Sequence, residues 1–119
     1  MMFEGSFYRT LRFVRTETGY VADVELLADH PVYQGHFPGQ PVVPGVCTMR
    51  VVRELTARAV GCDIWFDTIR EAKFVSALIP CEGLRIVVEA TLCEQTLRAV
   101  VQRGDEAVLK LRATWERDE

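Results

Sequence analysis

One histidine, His36, stands in Gly35-His36-Phe37-Pro38-Gly39-Gln40-Pro41-Val42-Val43-Pro44-Gly45-Val46, hemmed in by three prolines and three glycines. An imidazole changes charge near neutral pH, so it can take a proton from a substrate and hand it back. Proline fixes the backbone on both sides, and a loop this stiff aims its side chain. Beyond the loop, Arg50 and Glu54 lie one helical turn apart on a stripe that continues to Arg58. A carboxylate there can donate or hold a proton, or pair with the arginine at i, i+4. Cys47 falls in the first turn of the same helix, where the helix terminus lowers a thiol's pKa. A Cys-His nucleophile pair ranks below the other chemistries, and the preferred reading of Cys47, Cys62, Cys81 and Cys93 is as buried or half-buried small hydrophobes, with Cys47 the one candidate exception. No pair of cysteines has C-x-x-C spacing, and none of the last three has a nearby histidine, so no zinc site is expected.

The elements that must position these groups follow from periodicity. Tyr20, Ala22, Val24 and Leu26 alternate with Val21, Asp23, Glu25 and Leu27, which predicts a strand. FYRTLRFVR before it is similar, and Thr18-Gly19 turns the chain between them. Residues 29 to 45 have no period and hold four of the chain's five prolines, and so long a loop is usually functional. A helix is predicted from about Pro44 to Val60, with Gly61 as its stop. Val46, Cys47, Met49, Val51, Val52, Leu55, Ala59 and Val60 cover most of its circumference, which predicts burial on most sides. Four further strands are expected in FDTIREAKFVSALIP, LRIVVEATLCE, TLRAVVQR and AVLKLRATW, separated by Pro80-Cys81-Glu82-Gly83, Glu94-Gln95 and Gly104-Asp105. The expected architecture is α+β, a curved antiparallel sheet of about six strands wrapped around one long central helix. An unprotected edge of such a sheet is hidden by pairing two copies, so a homodimer joined edge to edge is expected.

The bulk properties exclude several functions. The 119 residues suit a single domain over 1–119, and 49% are hydrophobic, enough for a core. The 17 acidic and 14 basic residues give a net charge of -3, with no basic run to attract nucleic acid or an anionic membrane. No apolar run is long enough to span a bilayer, and MMFEGSFYRTLRF has no signal-peptide pattern, so a cytoplasmic location is expected.

Over nearly its whole length the chain resembles the FabZ/FabA family of 3-hydroxyacyl-[acyl-carrier-protein] dehydratases, which have the hot-dog fold. Gln34-Gly35-His36-Phe37-Pro38-Gly39, then Pro41 and Pro44-Gly45-Val46, is similar to the family signature at its spacing. Ala72-Lys73-Phe74 with Pro80 is similar to the strand after the helix. The resemblance implies dehydration of 3-hydroxyacyl thioesters to trans-2-enoyl thioesters in fatty-acid or related lipid or polyene biosynthesis. His36 would be the base. Free N–H groups around Gly45 and Val46 would bind the thioester oxygen, helped by the helix dipole. In the family the acid is an Asp or Glu on the helix, offered across the dimer. Its position here is Arg50, whose guanidinium does not give up a proton. Glu54, where the family often has glutamine, is then the candidate acid, directly or through a held water, with Arg50 binding the leaving hydroxyl or orienting Glu54. The competing reading of the pair is a structural ion bridge.

Further expectations rest on the same resemblance. Tyr33, Phe37 and Phe74 would line an acyl tunnel or anchor the loop on the core. His30 reads as a turn residue, and Trp65 and Trp115 as packing or interface residues. The partner would be an acyl carrier protein bearing a phosphopantetheine-linked chain, met by a basic rim drawn from Arg9, Arg12, Arg15, Arg70, Lys73 and Arg85. Neither elimination nor hydrolysis requires a metal or organic cofactor, and none is expected. The alternatives are a hot-dog acyl thioesterase with Glu54 activating water, and a non-catalytic subunit paired with an active dehydratase.

Overall fold

The structure is a computed structural model that describes residues 3–35 and 41–118. In chain order the elements are β1 (Tyr8–Arg15), β2 (Gly19–Leu26), α1 (Val32–Gly35), α2 (Gly45–Val60), β3 (Ile64–Phe74), β4 (Leu84–Cys93), β5 (Thr96–Arg103) and β6 (Glu106–Arg117). The six strands form one antiparallel sheet in the order β1-β2-β4-β5-β6-β3. Each expected strand is present, and the loop before α2 carries the additional single turn α1.

Turn chemistry sets the hairpins. Gly19 N–H donates to Thr16 Oγ1 at 3.0 Å, and Thr16 N–H to the Gly19 carbonyl at 3.0 Å. A Cβ on Gly19 would run into the carbonyl oxygen of Ala90 on β4, so only glycine lets β2 close onto its neighbour. Glu94, between β4 and β5, has φ 55°, and Gly104, between β5 and β6, has φ 59°.

The alternation of β2 gives one buried face, Tyr20, Ala22, Val24 and Leu26, and one half-exposed face. Against this face, and against its continuation on β4, β5 and β6, α2 packs Val51, Val52 and Leu55, all essentially without exposure. Tyr20 spans the layer: its hydroxyl shares a 2.9 Å hydrogen bond with Thr56 Oγ1 and donates to the Val52 carbonyl at 3.3 Å. The polar handle of a buried tyrosine thus fixes the rotation of the helix over the sheet. The helix opens at Pro44 and closes at Gly61, whose φ of 85° bends the chain and lets its N–H donate to the Ala57 carbonyl at 2.9 Å.

The helix is less enclosed than its composition predicts. Cys47, Thr48, Val51, Val52, Glu54, Leu55 and Thr56 are buried, whereas Val46 is 75% exposed and Met49, Arg50, Arg53 and Ala57 are half-buried. The chain's own sheet covers one face, and apolar side chains continue onto the other. The edge strand β3 has a matching character. Trp65, Ile69 and Phe74 are exposed along it, as are Val75 and Ile79 beyond it, and two register shifts break its pairing with β6. Trp115 belongs to the core. No helix among the described residues is long and apolar enough to cross a membrane.

Candidate active site

The start of α2 is built without a side-chain cap. The N–H groups of Cys47 and Thr48 both turn back to the Pro44 carbonyl, at 3.0 and 3.3 Å, which leaves those of Gly45 and Val46 outside the helical ladder. Two free donors at the positive end of a helix dipole suit an oxygen that gains negative charge. Gly45 allows a close approach: a Cβ would lie 2.5 Å from Cε1 of Phe74, and a larger residue would have to push that ring aside. The ring of Phe74 therefore rests on the backbone of the helix start.

An apolar groove of about 570 Å³ opens at this point, walled by Val42, Val43, Val46, Met49, Phe74 and Leu78. A smaller one of about 210 Å³ is lined by Val46, Met49, Arg50, Arg53 and Phe66. The two share Val46 and Met49, so apolar surface runs from Phe74 over the helix start to Arg50. The structure thus brings Gly45, Val46, Phe74 and Arg50 together. His36 and Phe37 lie outside the described residues.

Glu54 is positioned differently. Its carboxylate is buried and faces the segment before β1. Phe3 N–H donates to both oxygens at 3.0 and 2.9 Å, Glu4 N–H to Oε1 at 3.3 Å, and Tyr8 hydroxyl to Oε1 at 2.9 Å. Arg50 Nε donates to Oε2 at 3.1 Å, closing the i, i+4 pair. A carboxylate has about four lone-pair sites, and the chain's own donors take them up. Burial, and then the charge of Glu54, push the Tyr8 hydroxyl well above its ordinary pKa, so Tyr8 stays a donor. Over this pair lies the ring of Phe3, 3.9 Å from the Arg50 guanidinium carbon, a cation–π contact.

Tyr33 stands away from the groove lining. Its ring packs 6.1 Å from Phe7, and its buried hydroxyl, without a hydrogen-bond partner among the described residues, is pushed up to about 12 by burial first and by Cys47 second. His30 is a turn residue as expected: its Nδ1 accepts from Val32 N–H at 3.0 Å, and its ring stands edge-on to Phe3 and Phe7. The basic residues do not form one rim. Arg9, Arg12 and Arg15 lie on β1 at one sheet edge, with Arg9 bound to Glu25 at 2.7 Å, whereas Arg70 and Lys73 lie on β3 at the opposite edge beside Phe74. Nothing in the local pattern of Phe3 and Tyr8 points to a carboxylate 51 and 46 positions away, so neither is legible in the sequence as a site residue.

Cys47 is buried, and desolvation raises its thiol pKa against the opposing pull of Arg50. Burial outweighs the helix terminus, so a nucleophilic Cys47 is disfavoured. Iodoacetamide at pH 7 is expected to label the exposed Cys81 and Cys93 well before Cys47, with Cys47 labelling rising as the pH is raised. Peptide mapping that found Cys47 modified first would reverse this order.

Comparison with known proteins agrees with this geometry. The FabZ-named 3-hydroxyacyl-[acyl-carrier-protein] dehydratase of Pelotomaculum thermopropionicum is 38% identical over 84 residues, 65% of this chain and 57% of that protein. That of Symbiobacterium thermophilum is 33% identical over 104 residues, 79% of this chain and 72% of that protein. The chain thus spans little more than half the length of the first of these. Among solved structures, the dehydratase heterocomplex ApeI:P from Xenorhabdus doucetiae superposes with a TM-score of 0.79 at 20% identity, over 91% of this chain and 96% of that one. The fold is that of hot-dog dehydratases. Residues 14–112 match the family model described as ApeI-like, ApeI dehydratase. With its uncapped helix start, its groove and these relatives, the chain belongs to the ApeI-like dehydratase family, within the FabZ-type dehydratases.

Proposed function

We propose that the protein removes water from 3-hydroxyacyl thioesters carried on an acyl carrier protein, giving trans-2-enoyl thioesters. The observation that carries this reading is the continuous apolar surface that joins the uncapped start of α2 to Arg50. The acyl chain would lie along Val43, Met49 and Phe74, and the thioester oxygen would accept from the N–H groups of Gly45 and Val46. His36 takes the proton from the carbon beside the carbonyl. The electron pair forms the new carbon–carbon double bond as the C–O bond breaks. The imidazolium returns its proton to the departing hydroxyl, which leaves as water. Arg50 donates hydrogen bonds to that oxygen as it gains charge. The bonds converging on Glu54 support its role as the partner of Arg50, and leave the direct acid as the competing assignment. Lipid or polyene biosynthesis in the cytoplasm, and the carrier's phosphopantetheine arm entering beside Phe74, belong to the same reading.

The exposed apolar edge of β3 supports pairing with a second hot-dog subunit, a further copy in the simplest case. A different subunit is favoured by one observation: Arg50 stands where the family places its acid, and a partner could bring a carboxylate of its own. The resemblance to a heterocomplex points the same way.

The test is to follow product mass from a 3-hydroxyacyl thioester on a carrier protein. Loss of water is expected from the wild type, and a fall of roughly ten- to a hundredfold for Arg50→Ala, the worth of a charge-assisted hydrogen bond to the leaving oxygen. Release of free acid would make the protein a thioesterase. No turnover with any chain length, restored by a hot-dog partner subunit, would make it one half of a heterodimer.

A further inference from the structure

The segment before β1 touches Arg50 and Glu54 on α2 and the start of the loop that leads to His36. It turns sharply: Gly5 has φ 92°, Phe7 N–H donates to the Phe3 carbonyl at 2.8 Å, and Gly5 N–H to the Tyr8 carbonyl at 2.7 Å. Its first described residues are held by Glu54, through the backbone of Phe3 and Glu4, and by the Arg50–Phe3 stack. Its other aromatic, Phe7, has no exposure and packs with His30 and Tyr33, at the start of the loop that leads to His36. Phe7 carbonyl also accepts from Leu27 N–H at 2.8 Å, which ties the turn to the end of β2.

From this arrangement we infer that residues 3–8 are a positioning strap for the reaction, and that Glu54 is a positioning residue acting through Arg50. An arginine side chain loses much rotamer entropy when it is fixed. Here Nε is fixed by Glu54 and one face of the guanidinium by Phe3, so the orientation is set before substrate arrives. Glu54 is fixed in turn by four hydrogen bonds from three donors of the strap, the N–H groups of Phe3 and Glu4 and the hydroxyl of Tyr8. The strap therefore converts a flexible cation into an oriented one, and the same turn braces the loop on the other side. The inference rests on the dehydratase reading for its kinetic consequence only, since the hold on Arg50 can be observed without a reaction.

Two variants separate the strap from an acid role for Glu54. Phe3→Ala leaves every carboxylate in place and removes the lid on Arg50. Glu54→Gln keeps size but puts a donor where donors converge. With the wild type turning over, both are expected to lower kcat roughly ten- to a hundredfold with KM within about twofold. Glu54→Gln combined with Arg50→Ala is expected to be no slower than Arg50→Ala, because both act through one guanidinium. An acid role instead leaves Phe3→Ala near wild type and removes one limb of the pH–rate profile in Glu54→Gln, which would overturn the inference. Independently, the Arg50 Nε–H signal in a ¹⁵N NMR spectrum, assigned by its absence in Arg50→Ala, is expected to be protected from exchange in the wild type. It should broaden or vanish in Phe3→Ala and Glu54→Gln. A signal unchanged in both overturns the strap even if no substrate is ever turned over, whereas an absent activity with the expected signal change sinks the dehydratase reading and leaves the strap standing. Circular dichroism controls for folding, and Phe3→Ala carries the test if Glu54→Gln does not fold.

Discussion

Replacing His36 with alanine is expected to lower the proposed dehydration by roughly 10²- to 10⁴-fold, the usual worth of a positioned general base. In the proposed reaction the imidazole is used twice, to remove a proton and to return it, and no other neutral-range base is expected at the loop. His30 cannot substitute: its Nδ1 is taken by Val32 N–H, and its ring is packed edge-on against Phe3 and Phe7. The remaining rate would come from the Gly45 and Val46 donors and from Arg50, which still stabilise charge on the two oxygens. The check is single-turnover product mass for the wild type and His36→Ala, with thermal unfolding to confirm that both are folded. A variant within threefold of the wild type would remove His36 from the mechanism. Wild-type activity should also fall as acid protonates the imidazole, which can then no longer accept a proton.

Replacing Glu54 with alanine is expected to cost about 2–4 kcal/mol of folding stability. The loss has three parts. The hydroxyl of Tyr8 is buried and loses its acceptor; the N–H groups of Phe3 and Glu4 lose theirs; and the turn they anchor loses its attachment to α2. Each orphaned donor costs on the order of 1 kcal/mol or more. Arg50 adds little, because its side chain is 30% exposed and water screens it. For a chain of this size the melting temperature should drop on the order of 10 °C. Tyr8→Phe should lose only about 1 kcal/mol, since it removes one bond and leaves the strap in place. Thermal unfolding of both variants measures this, and a Glu54→Ala protein that melts with the wild type would mean that the strap's bonds contribute nothing.

Much of the fold is legible in the sequence because its signals are local. The period-two pattern of Tyr20 to Leu26 is the buried face of β2, and Gly61 ends α2 in the left-handed conformation that only glycine takes readily. Gly45 and Phe74, both identified from the family's spacing, meet at the helix start. What escaped the sequence is what depends on distant partners. The donors on Glu54 come from about fifty residues away, so an i, i+4 pair was visible and its anchoring was not. For Cys47 the sequence set a helix terminus against burial and favoured burial, and the residues that bury it are brought over it by the fold. An apolar circumference on α2 signals burial without saying by whom, and the chain's own sheet supplies only one side.

The uncovered side of α2 and the open edge of β3 have a thermodynamic consequence. Surface that is hidden only by association makes folding a mass-action problem. A partner bound to the native state at a hundred times its Kd adds about 2.7 kcal/mol, against a total of roughly 5–15 kcal/mol for a typical domain. If the second subunit proposed above covers that edge, the chain expressed without enough of it would sit nearer its unfolding limit and be cleared faster. Its abundance would then be tied to that of its counterpart by stability, before any substrate is involved.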